Sequence, residues 1–444
     1  MLYPLVRTLL GFALRAFYRL ESAGSELPGA GPLLLVGNHP NALIDPALLL
    51  TISPRPLTFL AKAPLFQVPV LGTLLRALGA LPVQRRQDGP AEPTANAAVL
   101  EAGARALATE RALAIFPEGR SHSDSRLAEM KTGAARMALA AGRPVQVVPV
   151  GLTYAQKGSF RSAVHVEVGV ALTVLPESPP SPATVRAVTA RIGEALRAVT
   201  LELEGWEDLP LIATAEALYA LQTEGPAEDA ERRRLFARGM ALLREEQPEQ
   251  YRTLRGEVDA LARRLALLHA SPGDVAVQYR MATVLRFLLR NTVALVLGLP
   301  LAVVGWLLFL PWTVSVRMAL NLRQTSEDMR ATVKLVAALV LGPIYVLALA
   351  FLAWRWLSWG WAVGWVIASV PLALFTRAFF SQRGEALRDA RLFFRLGNRS
   401  ATKQHLLDEG RALAIRILAL AEELAPRVAP SNPPDAPGQR PTGA

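Results

Sequence analysis

The chain of 444 residues contains no cysteine. This absence excludes disulfide bonds, a thiolate nucleophile and metal sites built on cysteine. The sequence also lacks a G-x-S-x-G nucleophile elbow, a Walker loop and a dinucleotide-binding fingerprint. Any group-transfer chemistry must therefore use a base or nucleophile of another kind.

Apolar residues, in contrast, are abundant. Hydrophobic residues make up 52% of the chain and the mean hydropathy is +0.27, which is too apolar for an ordinary soluble protein unless some segments lie in lipid. The formal net charge of +11 fits contact with anionic lipid headgroups, a phosphate-bearing substrate or nucleic acid. Composition therefore indicates a membrane protein, and charge alone leaves the anionic partner open.

Residues 1–24 are predicted to form an interfacial amphipathic helix. The segment MLYPLVRTLLGFALRAFYRL places arginines among apolar and aromatic residues, and its longest uncharged run is too short to cross a bilayer. It has no small-residue cleavage site, so a secretory signal peptide is not expected.

Residues 25–178 alternate short strand-like runs with helical runs, the pattern of an α/β layer protein. The predicted strands are PLLLV, LTFLA, ALPVQR, ALAIF, VQVVPVG and VHVEVGV, and the predicted helices are ALIDPALLL, QVPVLGTLLRAL, PTANAAVLEAGARALA and TGAARMALAAG. Residues 184–287, an accessory region, and 384–424 are expected to be helical. The proline-rich tail, 425–444, is expected to be disordered.

Three long apolar stretches lie within residues 288–380. Residues 333–354 and 359–377 are each long enough to cross the hydrocarbon core, and the tryptophan-rich segment between them is typical of a membrane interface. If the first stretch, 288–314, also crossed, the basic loop after it would lie on the far side of the membrane, which the positive-inside rule disfavours. We therefore predict a re-entrant segment at 288–314 followed by a hairpin of two spans; three spans are the alternative.

The stretch VGNHPNALIDP ends an apolar strand and places polar residues in the turn after it. Open α/β sheets carry reactive groups at the carboxyl ends of strands, so Asn38 and His39 are expected at the mouth of a crevice. A histidine beside a carboxylate such as Asp45 forms a general base, because the carboxylate fixes the tautomer and stabilises the imidazolium. The alternative is that His39 and Asp45 only cap the following helix.

A second polar turn favours the catalytic interpretation. The stretch AIFPEGRSHSD also follows an apolar strand and carries Glu118, Gly119 and Arg120 where the chain leaves the sheet. The guanidinium of Arg120 is suited to binding a phosphate group. Because both turns follow strands of one sheet, we expect them to form a single site. His122 and Asp124 alone are too few ligands to predict a metal.

In their order and spacing, NHPNALID and FPEGRS resemble the first and third sequence blocks of the phospholipid/glycerol acyltransferase superfamily, which includes lysophosphatidate and glycerol-3-phosphate acyltransferases. GALPVQRR, with Gly79 and Arg85, resembles the second block, and VVPVGLTY resembles the fourth. The resemblance covers residues 25–175 and implies an acyltransferase-type mixed sheet flanked by helices.

The resemblance also implies a reaction. A fatty acyl group would pass from acyl-CoA or acyl carrier protein directly to a hydroxyl of a glycerol phosphate lipid, without an acyl-enzyme, a cofactor or a metal. His39 would take the hydroxyl proton and Asp45 would orient His39. The residues that would bind the acceptor are Asn38, Arg85, Glu118, Gly119, Arg120 and Ser121.

Two departures from the family pattern affect this assignment. Five residues separate His39 from Asp45 instead of four, and a six-residue offset on one α-helix would turn the two side chains about 120° apart. We expect Pro40 and Asn41 to stay non-helical and the helix to start near Ala42, so that the loop absorbs the extra residue. The third block also reads FPEGRS where the family has FPEGTRS.

We therefore expect a membrane-bound acyltransferase that converts 1-acylglycerol-3-phosphate to phosphatidate. Glycerol-3-phosphate, another lysophospholipid or a lipid amine are alternative acceptors, and a non-catalytic membrane scaffold is a third reading of the sequence. Membrane lipids and the acyl thioester are the expected partners, nucleic acid is not, and the oligomeric state stays open. The catalytic domain is expected on the cytoplasmic side of a bacterial inner membrane or of the endoplasmic reticulum.

Overall fold

The computed structural model of the protein describes residues 2–68, 71–83, 93–223, 229–268, 270, 272–273, 281–322, 326–397 and 400–428. The chain divides into two units. The first combines Met1–Thr200 with Gln278–Arg391, and the second combines Leu201–Val277 with Leu392–Ala444.

The first unit is built on a mixed sheet with eight strands in the described part of the chain. They are β1 Tyr18–Gly24, β2 Leu33–Gly37, β3 Leu57–Lys62, β4 Leu81–Val83, β5 Ala112–Ile115, β6 Val145–Tyr154, β7 Ser162–Val168 and β8 Leu172–Val174. The strand order is β1-β7-β6-β2-β5-β3-β4, and β8 pairs with the first part of β6. β2 is parallel to its neighbours β5 and β6, whereas β7 is antiparallel to β6 and parallel to β1.

Helices pack on both faces of this sheet. They are α1 Leu2–Phe17, α2 Ile44–Ile52, α3 Leu71–Ala77, α4 Pro93–Ala108, α5 Gly133–Leu139 and α6 Pro182–Val199, with a 3₁₀ turn at Ala63–Gln67. Alternate residues of a strand point to opposite faces, so Leu33 and Leu35 of β2 pack with α1 and α2, whereas Leu34 and Val36 pack with α5 and α6. The predicted α/β fold with a mixed sheet flanked by helices is confirmed.

Two boundaries differ from the sequence prediction. The predicted N-terminal helix ends at Phe17, because Tyr18 is buried in the core and Tyr18–Gly24 pairs with β7 as a strand. At the other end, α6 carries Val185 and Ile192 into the core of the sheet unit. This unit therefore continues beyond residue 178, where the catalytic domain was predicted to end.

The second unit is a helical bundle. Its helices are α7 Leu209–Thr223, α8 Ala230–Glu246, α9 Pro248–Leu268 and α14 Ser400–Val428, with a 3₁₀ turn at Trp206–Asp208. Leu406, Leu413 and Ile417 of α14 share one apolar core with α7 and α9. The predicted accessory region and the predicted C-terminal helices therefore contribute to one unit. Because α14 continues to Val428, only residues 429–444 of the predicted tail are left, and they lie outside the described residues.

Three described helical segments are long and apolar enough to cross a membrane, namely Leu285–Asn321, Glu327–Trp356 and Trp359–Gly384. They belong to α10 Met281–Leu322, to α11 Glu327–Val336 with a π-turn Ala337–Leu341 and α12 Gly342–Trp356, and to α13 Trp359–Gly397. The stretch 288–314, predicted to be re-entrant, lies within α10, which continues as a helix through Pro300 and Pro311; its path through a membrane stays a prediction. A proline removes a single backbone donor, whereas a turn in an apolar segment would expose several unpaired polar groups.

Candidate active site

Polar side chains meet at one edge of the sheet, where strands β2, β5 and β6 end. Asn38 and His39 directly follow β2, Glu118 lies in the turn after β5, and Tyr154 is the last residue of β6. The three strands are parallel neighbours, so their carboxyl ends lie side by side. The sequence prediction that the two polar turns form one site agrees with this geometry.

His39 and Asp45 form a hydrogen-bonded pair with 2.9 Å between His39 Nδ1 and Asp45 Oδ2. Asp45 is fully buried, and it also accepts hydrogen bonds from the Tyr154 hydroxyl at 2.5 Å and the Asn41 amide at 2.6 Å. A buried carboxylate that faces Nδ1 places the ring proton there and leaves Nε2 as a base. The capping alternative is not favoured, because Asp45 bonds to His39 and to the Asn41 amide, both of which precede α2.

The loop between His39 and Asp45 absorbs the additional residue of this chain. Ala42 has a φ of +37°, and α2 begins at Ile44, two residues later than predicted. The Ile44 amide donates to the Asn41 carbonyl at 2.9 Å and closes a tight turn. The two side chains therefore meet across a turn and not along one face of a helix.

The His39 ring is held on one side and open on the other. It stacks on Phe116 with 4.1 Å between ring centroids and 11° between planes, and 14% of its side chain is exposed. Within the described part of the chain, Nε2 has no hydrogen-bond partner. The ring therefore has one face packed against Phe116, and its Nε2 is open to an incoming hydrogen-bond donor.

Glu118 joins the two polar turns. Its Oε1 accepts from the His39 amide at 3.0 Å, and its Oε2 accepts from the Ala128 amide at 2.7 Å and from His122 Nε2. The His122 amide in turn donates to the His39 carbonyl at 3.1 Å. Because Glu118 is buried and both its oxygens are engaged by the protein, its role differs from the predicted contact with the acceptor: it fixes the backbone of His39.

The remaining predicted acceptor ligands fall into different positions. The Asn38 side-chain amide donates to the Leu152 carbonyl at 3.0 Å and accepts from the Leu152 amide at 2.7 Å, which anchors the turn to β6.

Three of the other predicted ligands lie in or near the turn after β5. Ser121 donates to Asp328 Oδ2 at 2.7 Å. Arg120 is exposed and lies 3.0 Å from Asp124. Gly119 has a φ of +73°, a left-handed conformation that glycine adopts without strain. Arg85 lies outside the described residues.

A cavity of about 870 Å³ opens beside His39. Three cationic residues line it, namely Lys62, Arg120 and Lys131. Another part of its wall is apolar and consists of Leu60, Val83, Val99, Leu100 and Ile115. The cavity thus brings together His39, three cationic side chains and an apolar wall.

The comparison with known proteins agrees with this arrangement. Residues 19–153 match the Acyltransferase family. Over 138 residues the chain is 30% identical to the chloroplastic 1-acyl-sn-glycerol-3-phosphate acyltransferase LPAT1 of Arabidopsis thaliana, a match that covers 31% of this chain and 36% of that protein. Over 128 residues it is 33% identical to glycerol-3-phosphate O-acyltransferase 1 of Saccharomyces cerevisiae, covering 26% of this chain and 17% of that protein.

Residues 19–153 are an acyltransferase domain. The predicted resemblance to the phospholipid/glycerol acyltransferase superfamily is confirmed over this part of the chain. The crystal structure of the 1-acyl-sn-glycerophosphate acyltransferase PlsC from Thermotoga maritima aligns with a TM-score of 0.34 at 22% identity, over 44% of this chain and 78% of that chain.

Several residues of the acyltransferase domain site were missed by sequence reasoning. Lys62 ends β3 and Tyr154 ends β6, so their positions at strand ends were a usable signal. Lys131 lies two residues before α5, where five of seven helix residues are buried, and lines the cavity. His122 was considered only as a metal ligand, yet its ring bonds to Glu118.

The phenols around Asp45 act as permanent donors in the acyltransferase domain. Burial and the neighbouring Asp45 charge raise the pKa of Tyr154 well above its usual value of 10.0. Burial likewise raises the pKa of Tyr18, although the hydrogen bond from Asn41 opposes the shift. Both hydroxyls therefore stay protonated at any physiological pH.

Proposed function

We propose that the protein transfers a fatty acyl group from an acyl thioester to a hydroxyl of a glycerol phosphate acceptor at a membrane. The favoured acceptor is 1-acylglycerol-3-phosphate, and the product is then phosphatidate. The observation that carries the proposal is the His39–Asp45 pair at a cavity lined by cations and by an apolar wall. The acyltransferase family match and the names of the relatives support it.

In the proposed reaction, His39 acts as the general base. Its Nε2 accepts the proton of the acceptor hydroxyl while the hydroxyl oxygen attacks the carbonyl carbon of the thioester. The C–S bond then breaks, and the leaving thiolate takes the proton back from the imidazolium. Asp45 holds Nδ1–H and stabilises the positive ring during the transfer, and no cofactor or metal takes part.

The cations of the cavity are proposed to hold the phosphate of the acceptor. Arg120 supplies a planar donor fork, and Lys62 and Lys131 supply point charges. The apolar wall on the other side suits an acyl chain. Arg85, predicted from the second block, is kept as a proposed further phosphate ligand.

A membrane location suits this chemistry. Moving a lysophospholipid with about fourteen methylenes fully into water would cost on the order of 11 kcal/mol, at about 0.8 kcal/mol for each methylene. An enzyme with apolar helices at the membrane can take its acceptor directly from the leaflet and avoid this cost. We place the acyltransferase domain on the cytoplasmic side, where acyl-CoA and acyl carrier protein are found.

Glycerol-3-phosphate is the second candidate acceptor. The observation that favours it is the relationship to a yeast protein named as a glycerol-3-phosphate O-acyltransferase, at 33% identity over 128 residues. This acceptor carries the same phosphate group and needs only the cationic part of the cavity. The two candidates therefore differ in whether the acceptor itself uses the apolar wall.

An acceptor-by-donor panel tests the proposal. Purified full-length protein is supplied with radiolabelled acyl-CoA or acyl carrier protein and with lysophosphatidate, glycerol-3-phosphate, lysophosphatidylcholine or a lipid amine. We expect transfer to lysophosphatidate, loss of at least about a thousandfold in His39→Ala, and full activity in His165→Ala. His165 is a suitable control because it lies on β7 beside Glu167, outside the cavity lining.

The panel also separates the alternatives. Preference for glycerol-3-phosphate would support the second candidate acceptor. Preference for another lysophospholipid or for an amine would overturn the proposal that the acceptor is a glycerol phosphate. Transfer by His39→Ala at the rate of the natural chain would overturn the catalytic role of the dyad. A chain that transfers no acyl group to any acceptor would instead support the scaffold alternative.

A further inference from the structure

We propose that α11, the first part of the second apolar helical segment, belongs to the catalytic centre and that Asp328 is a positioning residue for it. The inference rests on the proposed acyl transfer and adds a role that lies outside the matched acyltransferase domain. Asp328 would hold the turn after β5, and Thr332, one helical turn later, would hold the turn after β2.

One face of α11 packs directly on the core of the acyltransferase domain. Ala331 and Leu335 are 0% and 8% exposed, and they share an apolar cluster with Ile44 and Leu48 of α2. Asp328, Ala331, Thr332 and Leu335 follow the spacing i, i+3, i+4 and i+7, which places them on one side of a helix. The helix is therefore fixed to the sheet unit by apolar burial, and its polar residues are presented at defined positions.

Thr332 contacts the turn that carries the catalytic pair. Its hydroxyl oxygen accepts from the Leu43 amide at 3.2 Å, and Thr332 is buried. Leu43 lies between His39 and Asp45 and immediately precedes α2, whose first turn has no side-chain cap from its own residues. A residue of α11 therefore satisfies a backbone donor that the local sequence leaves unpaired.

Asp328 contacts the other turn. Its Oδ2 accepts from the Ser121 hydroxyl at 2.7 Å. Ser121 lies between Arg120, which lines the cavity, and His122, whose amide bonds to the His39 carbonyl. A displacement of Ser121 would therefore move both a proposed phosphate ligand and the backbone of the base.

Charge around Asp328 supports the same arrangement. The ammonium of Lys157 donates to Ser123 at 3.0 Å and interacts electrostatically with Asp328. Ser121 and Ser123 are thus held by a carboxylate on α11 and by an ammonium group in the turn after β6. These two contacts explain how a partly buried loop outside the sheet can keep the fixed geometry that catalysis requires.

The geometry predicts how the Ser121 hydroxyl acts. If it served mainly as a ligand for the acceptor, its effect on the rate would be independent of Asp328. If it serves to position the loop, substitutions of Ser121 and Asp328 would remove the same interaction and their effects would not multiply.

A double-mutant cycle tests the inference. Full-length Asp328→Ala, Ser121→Ala, the double variant, Asp328→Asn and the control Glu327→Gln are compared in steady-state acyl transfer to lysophosphatidate. We expect Asp328→Ala to lower kcat about tenfold with both KM values changed less than about twofold, since the substrates still bind but the base is misplaced. Asp328→Asn should recover most of the rate, because its amide oxygen still accepts from Ser121. Glu327→Gln removes the neighbouring charge, which acts on Lys157, but leaves the hydrogen bond from Ser121 to Asp328 in place, so kcat should change less than about twofold.

A second measurement does not depend on turnover. Diethyl pyrocarbonate modifies histidine, and the chain has only five. The rate at which His39 is modified, followed by mass spectrometry, should change at least about threefold in Asp328→Ala and stay constant in Glu327→Gln, because the exposure of the ring depends on its loop.

The outcomes separate the two proposals. Multiplicative losses in the cycle, equal behaviour of Asp328→Ala and Glu327→Gln, or failure of Asp328→Asn to recover the rate would each overturn the positioning role. Failure of the natural chain to transfer acyl groups would overturn the proposed function, and the His39 modification rates would still decide whether Asp328 positions the loop.

Discussion

Asp45 is a fully buried carboxylate whose charge is balanced by hydrogen bonds from Tyr154, Asn41 and His39. Removing a donor from a buried carboxylate lowers stability by more than a typical hydrogen bond contributes. The reason is that no water replaces the lost donor, so the negative charge is left incompletely solvated. The orientation of the catalytic ring and the stability of the core therefore depend on the same few atoms.

Tyr154→Phe tests this dependence. We expect the free energy of unfolding to fall by about 1.5–3 kcal/mol, since the lost hydrogen bond involves a charged group. The rate kcat should fall about tenfold because His39 is held less firmly. Unfolding in urea, monitored by susceptibility to proteolysis, measures the change in stability, and initial rates measure kcat. An unchanged kcat would show that Tyr154 does not help to orient the His39–Asp45 pair.

The same phenols give a pH dependence. In the unfolded chain tyrosines ionise near their usual value of 10.0, whereas burial raises the pKa of Tyr154 and Tyr18 in the folded chain. Unfolding therefore releases protons from these two tyrosines above pH 10, so their contribution to stability is constant below about pH 9 and decreases as pH rises past 10. In Tyr154→Phe the decrease between pH 10 and 11 should be smaller by up to about 1 kcal/mol per pH unit. Unfolding midpoints at several pH values provide the measurement.

Ala42 carries the backbone strain of the longer turn. With a φ of +37° the backbone of Ala42 has a conformation that is unfavourable for a residue with a Cβ atom. Ala42→Gly should therefore raise the free energy of unfolding by about 0.5–1 kcal/mol. Ala47, equally buried at 8% but inside α2, is the control. Ala47→Gly should lower stability by about 1 kcal/mol. A loss of stability in Ala42→Gly would mean that the buried methyl group matters more than the strain.

Among the elements, α6 is the one whose assignment to the sheet unit can be tested most directly. Gly151 of β6 approaches it so closely that a Cβ atom would lie 1.9 Å from the Val199 carbonyl oxygen. Gly151→Ala should therefore lower the free energy of unfolding by about 3 kcal/mol, because backbone and not a flexible side chain must move. Gly29→Ala, with no atom within 4 Å, should be neutral. Tolerance of Gly151→Ala would contradict the close packing.

Elements with a strong apolar pattern could be predicted from sequence, and weakly patterned ones could not. The core strand β2 is apolar throughout and was identified, whereas β1 has the mostly exposed sequence YRLESAG and pairs only along one edge. Its formation depends on the neighbouring strand β7, which lies more than a hundred residues later in the chain. Tertiary pairing of this kind leaves little local signal.

The same distinction applies to the site. The proximity of His39 and Glu118 followed from the rule that parallel strands end at one edge. The contacts of Asp328 and Thr332 could not be predicted, because hydropathy assigned that segment only to the membrane region. These contacts exist because Ala331 and Leu335 pack on the core of the sheet unit. The hydrophobic periodicity of the catalytic region does not predict this packing.

On the scale of the whole molecule, the second unit depends on the end of the chain. Leu406, Leu413 and Ile417 of α14 fill the core between α7 and α9, and Arg264 pairs with Glu409 at 2.5 Å. A chain that stops at Gly397 should therefore expose apolar surface in residues 209–268.

Limited proteolysis checks this expectation. Cleavage within residues 209–268 should be at least about tenfold faster in the chain that stops at Gly397, because local opening is no longer opposed by α14. A chain that stops at Val428 retains the whole helix and is the control. Equal cleavage of the two chains would show that α7, α8 and α9 are stable alone.

The packing of α9 and α14 in one bundle also restricts how the chain can cross a bilayer. Helices α9 and α14 pack in one core, yet the apolar helices lie between them in the chain, so the chain must return to the side from which it left. We therefore predict an even number of crossings, which for three candidate helices means two. Because the natural chain has no cysteine, Gly256→Cys in α9 and Ala412→Cys in α14 each introduce a unique thiol. In sealed vesicles a membrane-impermeant maleimide should label both thiols or neither; labelling of one alone would require an odd number of passages.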